Sequence, residues 1–241
     1  AATLKAIAAG GADAFYKGDI ARDIVAKVTS HPTNPGKLSL DDLSRYTHKV
    51  REPVCGVYRV KYRVCGMPAP SSGGIAVLQT LGLLQGFDVA GMKPNTLDSV
   101  HVVSEAYRLA YADRALYVGD PDFVSVPQAG MINADYLKER AKLISMQKTM
   151  GTPTAGTPPG VAVAKGKDNS LSLPSTTHLS IVDGAGNAVS MTTTIENGFG
   201  SLQMVRGFLL NNQLTDFSFT ATDADGKPIA NSVQAGKRTR S

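Results

Sequence analysis

His178-Leu179-Ser180-Ile181-Val182-Asp183 and Asn187-Ala188-Val189-Ser190-Met191-Thr192-Thr193-Thr194, joined by Gly184-Ala185-Gly186, carry a two-residue alternation. Alternation of that period around a glycine turn predicts a β-hairpin. Centred on Ala185, the hairpin sets Asp183 opposite Asn187, Ile181 opposite Val189 and Thr176 opposite Thr194. Because side chains alternate faces, this register decides which residues stand together. Ser175-Thr176-Thr177 then lies where a structureless stretch meets a buried strand.

That stretch, residues 147–175, is rich in Thr, Pro, Gly, Lys and Ser and poor in large apolar side chains. A connection of such length is unusual inside a compact domain and reads as a flexible linker or a place of chain cutting. Upstream, residues 1–146 read as mainly helical. Leu4, Ile7 and Ala8 begin one apolar stripe, which Gly10-Gly11 ends, and Ile20, Ile24, Val25 and Val28 form a second. Ser39 with Asp41-Asp42 signals a short third helix. Residues 75–84 are apolar nearly all round, which predicts a buried helix. Residues 97–117 carry the longest helical pattern, with Leu97, Val100, Val103, Leu109 and Leu116 as its apolar positions, and a shorter helix is expected over 133–146. Downstream, Phe208-Leu209-Leu210 is a strand candidate and the tail from Thr220 to Ser241 is polar loop.

Cys55 and Cys65 lie in a second predicted hairpin centred near Val60. They face each other across it, either as a cross-strand disulfide or as two small buried apolar side chains. No His/Cys cluster with metal-ligand spacing is present, so neither a metal nor another cofactor is expected. The 241 residues are 42% hydrophobic and 19% charged, with a mean hydropathy of −0.08, which excludes a disordered or collagen-like chain. The net charge is +5, but the basic residues are scattered and lack interleaved aromatics, which argues against nucleic-acid binding. No stretch approaches the ~18 consecutive apolar residues of a membrane span. The sequence starts Ala1-Ala2-Thr3-Leu4-Lys5 without a start Met or signal peptide, as expected of a processed or excised piece.

Cutting before Thr176 makes that residue a chain end. Its hydroxyl and free α-amine then share one carbon frame. The amine, with a reference pKa near ~7.7–8.0, can take the hydroxyl proton at neutral pH without a histidine. His178 is accordingly read as a satisfied strand residue rather than a base.

Further motifs stand in order along the chain. They are Pro68-Ala69-Pro70-Ser71-Ser72-Gly73-Gly74, Tyr111-Ala112-Asp113-Arg114, Gly119-Asp120-Pro121-Asp122-Phe123, Thr176-Thr177-His178-Leu179-Ser180, Thr194-Ile195-Glu196-Asn197-Gly198-Phe199-Gly200, Leu210-Asn211-Asn212-Gln213-Leu214-Thr215-Asp216-Phe217 and Gly236-Lys237-Arg238. Together they resemble the γ-glutamyltranspeptidase family of the N-terminal-nucleophile hydrolase superfamily, across essentially the whole chain.

The resemblance implies an α+β fold, a four-layer αββα sandwich of which this chain holds part. It implies one precursor that cleaves itself at Ser175–Thr176 into large and small subunits that stay associated. Residues 1–146 are then the C-terminal part of the large subunit, 147–175 the linker before the processing site, and 176–241 the start of the small subunit. Thr176 is implied as both processing and catalytic nucleophile, with the Thr194 hydroxyl assisting it. Glu196, Gln213 and Asp216 match positions that hold the α-amino group of a γ-glutamyl moiety; carboxylates suit an ammonium through charge-assisted hydrogen bonds. Glu196 departs from members with Asn there. Ser241 matches the first of two serines that bind the substrate α-carboxylate. The second serine, the carboxylate-binding arginine and the Gly-Gly oxyanion hole fall outside these residues, so the 241-residue piece is expected to be inactive alone.

The implied reaction is γ-glutamyl transfer from glutathione or another γ-glutamyl amide to water, an amino acid or a peptide. A periplasmic or secreted location follows from the same resemblance. Two rivals stand beside it: an acylase of the same superfamily acting on glutaryl or cephalosporin side chains, and a non-catalytic scaffold that kept the fold. The acylase is kept in view by the absence of any aromatic residue after Phe219, where some members place a Tyr-bearing lid.

Overall fold

A computed structural model describes residues 1–168, 170 and 176–241. Contacts divide the chain into two compact units, Ala1–Val50 with Ser172–Gln213, and Arg51–Leu171 with Leu214–Ser241. Both units therefore draw residues from either side of Thr176.

In the first unit, α1 (Ala2–Tyr16) is interrupted at Gly11, whose φ of 62° turns the backbone before the helix resumes. The glycine pair thus breaks the helix without ending it. The packed helix is α2 (Asp19–Thr29), whose Ile20 and Ile24 are buried with Val205. Ser39 and Asp42 form a reciprocal capping box at α3 (Leu40–Ser44), as its N-terminal signals predict.

The second unit opens with β1 (Val54–Tyr58) and β2 (Tyr62–Gly66), which pair Cys55 with Cys65 directly. The two sulfurs are bonded, which settles the alternative left open by the sequence. Next, α4 (Gly73–Leu83) is buried along most of its length. It starts so near β2 that a Cβ on Gly74 would lie 2.5 Å from the Met67 carbonyl oxygen, a contact only glycine permits. The long helix α5 (Leu97–Tyr117) follows, capped by the Thr96 hydroxyl. Its buried face carries Val102, Ala106, Leu109 and Ala110 together with Glu105 and Asp113, whereas Leu97 and Val100 are exposed. The apolar positions alone had pointed partly to the wrong side. After α6 (Gln128–Met131), α7 (Ala134–Ala141) starts where expected, capped by Asn133, but ends early as its last carbonyls take the three-residue hydrogen bonds of a closing turn.

Residues 147–168 hold no helix or strand, yet their described part is tied down rather than free. Glu105 accepts hydrogen bonds from the Thr149 hydroxyl and the Met150 N–H, both at 2.7 Å. Asp113, 1% exposed, accepts from Gly156 N–H (2.8 Å), Tyr136 O–H (2.6 Å) and Gln79 Nε2 (2.9 Å), with Arg140 at 3.4 Å. Two acidic side chains on one helix face therefore anchor the strap to α4, α5 and α7.

Past Thr176, β3 (Thr177–Val182) pairs antiparallel with β4 (Ala188–Thr193), and β5 (Met204–Val205) with β6 (Phe208–Leu209). The described strands form three separate two-stranded ladders, and the described residues also hold seven α-helices, a mixed α+β chain. No helix among the described residues is long and apolar enough to cross a membrane.

Candidate active site

The register of β3 and β4 is the one read from the turn: Ile181 faces Val189, and Thr177 faces Thr193 at the end of the ladder. Asp183 N–H donates to the Asn187 carbonyl, and Gly186 takes φ 85°, the left-handed residue a three-residue hairpin loop needs. The Asp183 carboxylate accepts from Asn187 Nδ2 (2.8 Å) and from the N–H groups of Asn187 and Ala185. Those bonds, the Asn187 side chain foremost, hold its carboxyl below the usual range.

Thr176 and Thr194 come one step beyond the last ladder pair, on the strand face that carries His178 and Thr192. His178 is bonded to the hydroxyls of Thr192 (2.8 Å), Ser180 and Ser190 (3.2 Å each), a satisfied strand residue as expected. The hairpin, expected to be buried, is exposed along nearly its whole length, Thr176 included. Ser175, the other partner of the expected scissile bond, lies outside the described residues.

Thr194 Oγ1 accepts from the Glu196 N–H at 2.8 Å, which bends the chain off the end of β4. Glu196 takes φ 72°, a conformation that costs a non-glycine residue roughly 1–3 kcal/mol. The bend buries its carboxylate to 3% exposure. One oxygen, Oε2, accepts from Asn212 Nδ2; the other, Oε1, is buried with no hydrogen-bond partner among the described residues. Asn212 also takes the Asn197 N–H and donates its own N–H to the Ile195 carbonyl. Asn211 in turn accepts from the Gln213 N–H at 3.0 Å and starts the short 3₁₀ helix Gln213–Asp216. The Asn-Asn pair thus fixes both the Glu196 carboxylate and the entry to Gln213.

Within the second unit, the Asp216 carbonyl accepts from Asn231 Nδ2 at 2.6 Å. Ser241 is gripped by the proline–serine loop: its carbonyl accepts from Ser72 N–H and Ser72 Oγ, each at 2.6 Å, and its N–H donates to Pro70 O. Ser72 precedes α4, but its hydroxyl makes no cap bond and instead links Ser241 to Arg114, whose Nε reaches it at 2.7 Å. Burial, then the neighbouring Arg240, lowers the Arg114 pKa to about 10. Arg114 forms no ion pair among the described residues. Neither Arg114 nor Arg240 was singled out from sequence as part of a site; the signal for Arg114 was its place in the Tyr111-Ala112-Asp113-Arg114 motif.

The model of the gamma-glutamyltranspeptidase family matches residues 1–241. A glutathione hydrolase proenzyme of Bacillus subtilis subsp. natto is 38% identical over 247 residues, covering 99% of this chain and 40% of that protein. The glutathione hydrolase proenzyme of Escherichia coli K12 is 40% identical over 220 residues, covering 90% and 36%. The crystal structure of cephalosporin acylase from Bacillus halodurans is similar at a TM-score of 0.78 and 30% identity, covering 99% of this chain and 39% of that one. The chain spans about two fifths of the length of the curated relatives it matches. The α+β class and the N-terminal-nucleophile hydrolase fold read from the motifs hold, with this chain supplying part of the sandwich.

Proposed function

We propose, from the premise that this chain belongs to the gamma-glutamyltranspeptidase family, that it is the subunit-junction portion of a self-processing γ-glutamyl acyltransferase. The parent cleaves at Ser175–Thr176, and residues 1–175 and 176–241 then belong to associated large and small subunits. Thr176 Oγ attacks the γ-amide carbonyl while its own α-amine takes the hydroxyl proton. The tetrahedral intermediate collapses, the amine leaves with a proton returned from the α-ammonium, and a γ-glutamyl ester remains on Thr176. Water, an amino acid or a peptide then takes the acyl group. Thr194, next to Thr176 in register, supplies a hydroxyl at the nucleophile. Glutathione, releasing cysteinylglycine, is the natural class of donor, and a periplasmic or secreted location suits the Cys55–Cys65 bridge.

The observation that carries this reading is Glu196. A buried carboxylate with one unpartnered oxygen, two residues past Thr194, suits a cationic ligand group. By the resemblance, Gln213 and Asp216 would serve the same ammonium group.

A glutaryl-acylase reading draws on the similarity to the Bacillus halodurans acylase and on residues 220–241. That stretch folds on itself, Ile229 N–H bonding to Ala221 O and Asp223 N–H to Lys227 O, and contains no aromatic side chain to cover a pocket. γ-Glutamyl and glutaryl anilides with the same leaving group differ only in the α-ammonium. The full-length enzyme is expected to prefer the γ-glutamyl donor by at least about tenfold in kcat/KM, the value of one charge-assisted bond. Equal or reversed preference favours the acylase.

A further inference from the structure

The outer end of the β1–β2 hairpin is built against local preference. Its turn is closed by Lys61 N–H on the Tyr58 carbonyl at 3.3 Å, and the central residues Arg59 and Val60 take φ 54° and 60°. Asn and Gly are the usual occupants of two successive left-handed positions, and a β-branched side chain is among the least suited. Val60 is nonetheless 97% exposed, the most exposed large apolar side chain among the described residues. At that exposure it adds almost nothing to a core. A strained residue that packs against nothing points to a use outside the fold.

The apex is held firmly. The Cys55–Cys65 bond staples the two strands behind it. Arg59 Nη2 donates to the Phe87 carbonyl at 2.7 Å, and its Nε to the Tyr58 hydroxyl at 3.1 Å. One face of the hairpin is closed by α4, where a Cβ on Gly56 would lie 2.9 Å from Leu78 Cδ2. The other face carries Val57 opposite Arg63, both exposed. Lys61 Nζ stands 5.3 Å from the centroid of the exposed Tyr62 ring. Residues 53–67 contain three cations, Arg59, Lys61 and Arg63, and no carboxylate.

This combination narrows the partner. The cations complement negative headgroups, tyrosine rings suit the boundary between water and lipid, and an exposed aliphatic apex gains by leaving water. A soluble polyanion would engage the cations and leave Val60 in solvent. We propose that the tip of the β1–β2 hairpin is a peripheral docking element for an anionic phospholipid surface. Val60 enters the boundary between headgroups and acyl chains, Lys61 and Arg63 meet headgroup phosphates, and Arg59 holds the turn. So small an anchor gives shallow, reversible binding. It places the protein at a surface without a spanning segment and without any residue of the nucleophile hairpin.

Co-sedimentation of the full-length protein with vesicles tests this. Mixed phosphatidylcholine–phosphatidylglycerol vesicles should bind it, pure phosphatidylcholine vesicles should not, and added salt should weaken the binding. Lys61→Gln and Arg63→Gln, both at exposed positions, should each weaken it about fivefold. Val60→Gly should weaken it about tenfold. Stability to denaturant should not fall in that variant, because glycine fits the left-handed backbone, and this separates docking from a structural role. Equal binding to both vesicle types, or full binding by Val60→Gly, overturns the proposal. Soluble polyphosphate bound through Lys61 and Arg63, with vesicle binding indifferent to Val60, also overturns it and assigns the tip to a polyanion. None of these readouts involves cleavage or turnover, so they stand apart from the acyl-transfer reading.

Discussion

The nucleophile hairpin and the face of α5 around Asp113 are held together by opposite means. Along β3 and β4 the apolar side chains Ile181, Val189 and Met191 are exposed, and order comes from the ladder, the Asp183-capped turn and the hydroxyls around His178. A lone two-stranded hairpin is marginal in water, and this one buries little of its apolar surface among the described residues. Around α5 the reverse holds. Glu105 and Asp113 are buried among Val102, Ala106, Leu109 and Ala110, and each takes several donors from elements far apart in sequence. The proposed nucleophile thus sits on a lightly held hairpin, while residues 149–156, well ahead of it in the chain, are bonded to a dense core.

The contrast breaks most sharply at Thr176. Thr176→Ala in the full-length protein should abolish both self-cleavage, seen by intact mass, and γ-glutamyl turnover. Retained turnover would place the nucleophile elsewhere. On the core side, Asp113→Ala should destabilise the fold by about 3–5 kcal/mol in chemical denaturation, because Arg140 and three further donors lose a buried acceptor. A loss under about 1 kcal/mol would show that the polar hub contributes only as a surface contact does.

Glu196→Gln should raise KM for a γ-glutamyl anilide about tenfold or more while leaving the glutaryl anilide nearly unchanged. Equal effects on both substrates would assign Glu196 to holding the bend rather than to the ammonium. The smallest effect is expected from acidification. Burial pushes the Glu105 carboxyl up, but the Met150 N–H, the Thr149 hydroxyl and Arg108 outweigh it, so its pKa lies below the ordinary value. Its contribution is therefore complete above the ordinary Glu range and is lost as pH falls through the depressed pKa. Proteolysis near Met150 should accelerate in that acidic window, and Glu105→Gln should flatten the dependence.

Local patterns made much of this legible. The glycine turn set the hairpin register, Ser39 and Asp42 announced a cap, and the symmetry about Val60 brought Cys55 opposite Cys65. Long-range satisfaction of polar groups was not legible. The buried side of α5 was misjudged because Glu105 and Asp113 look like solvent-facing residues until the strap that bonds them is in place. The strap was read as a free linker for the same reason, since its anchors lie on another element. At the site, residue types suggested an ammonium cradle, whereas the unpartnered Glu196 oxygen and the Arg114–Ser72–Ser241 relay emerge only from the folded chain.

N-terminal sequencing of the small subunit purified from the full-length protein tests the account most directly. A sequence beginning Thr-Thr-His-Leu-Ser, at Thr176, is the result expected. A different first residue, or a single uncleaved chain that still turns over substrate, would contradict it.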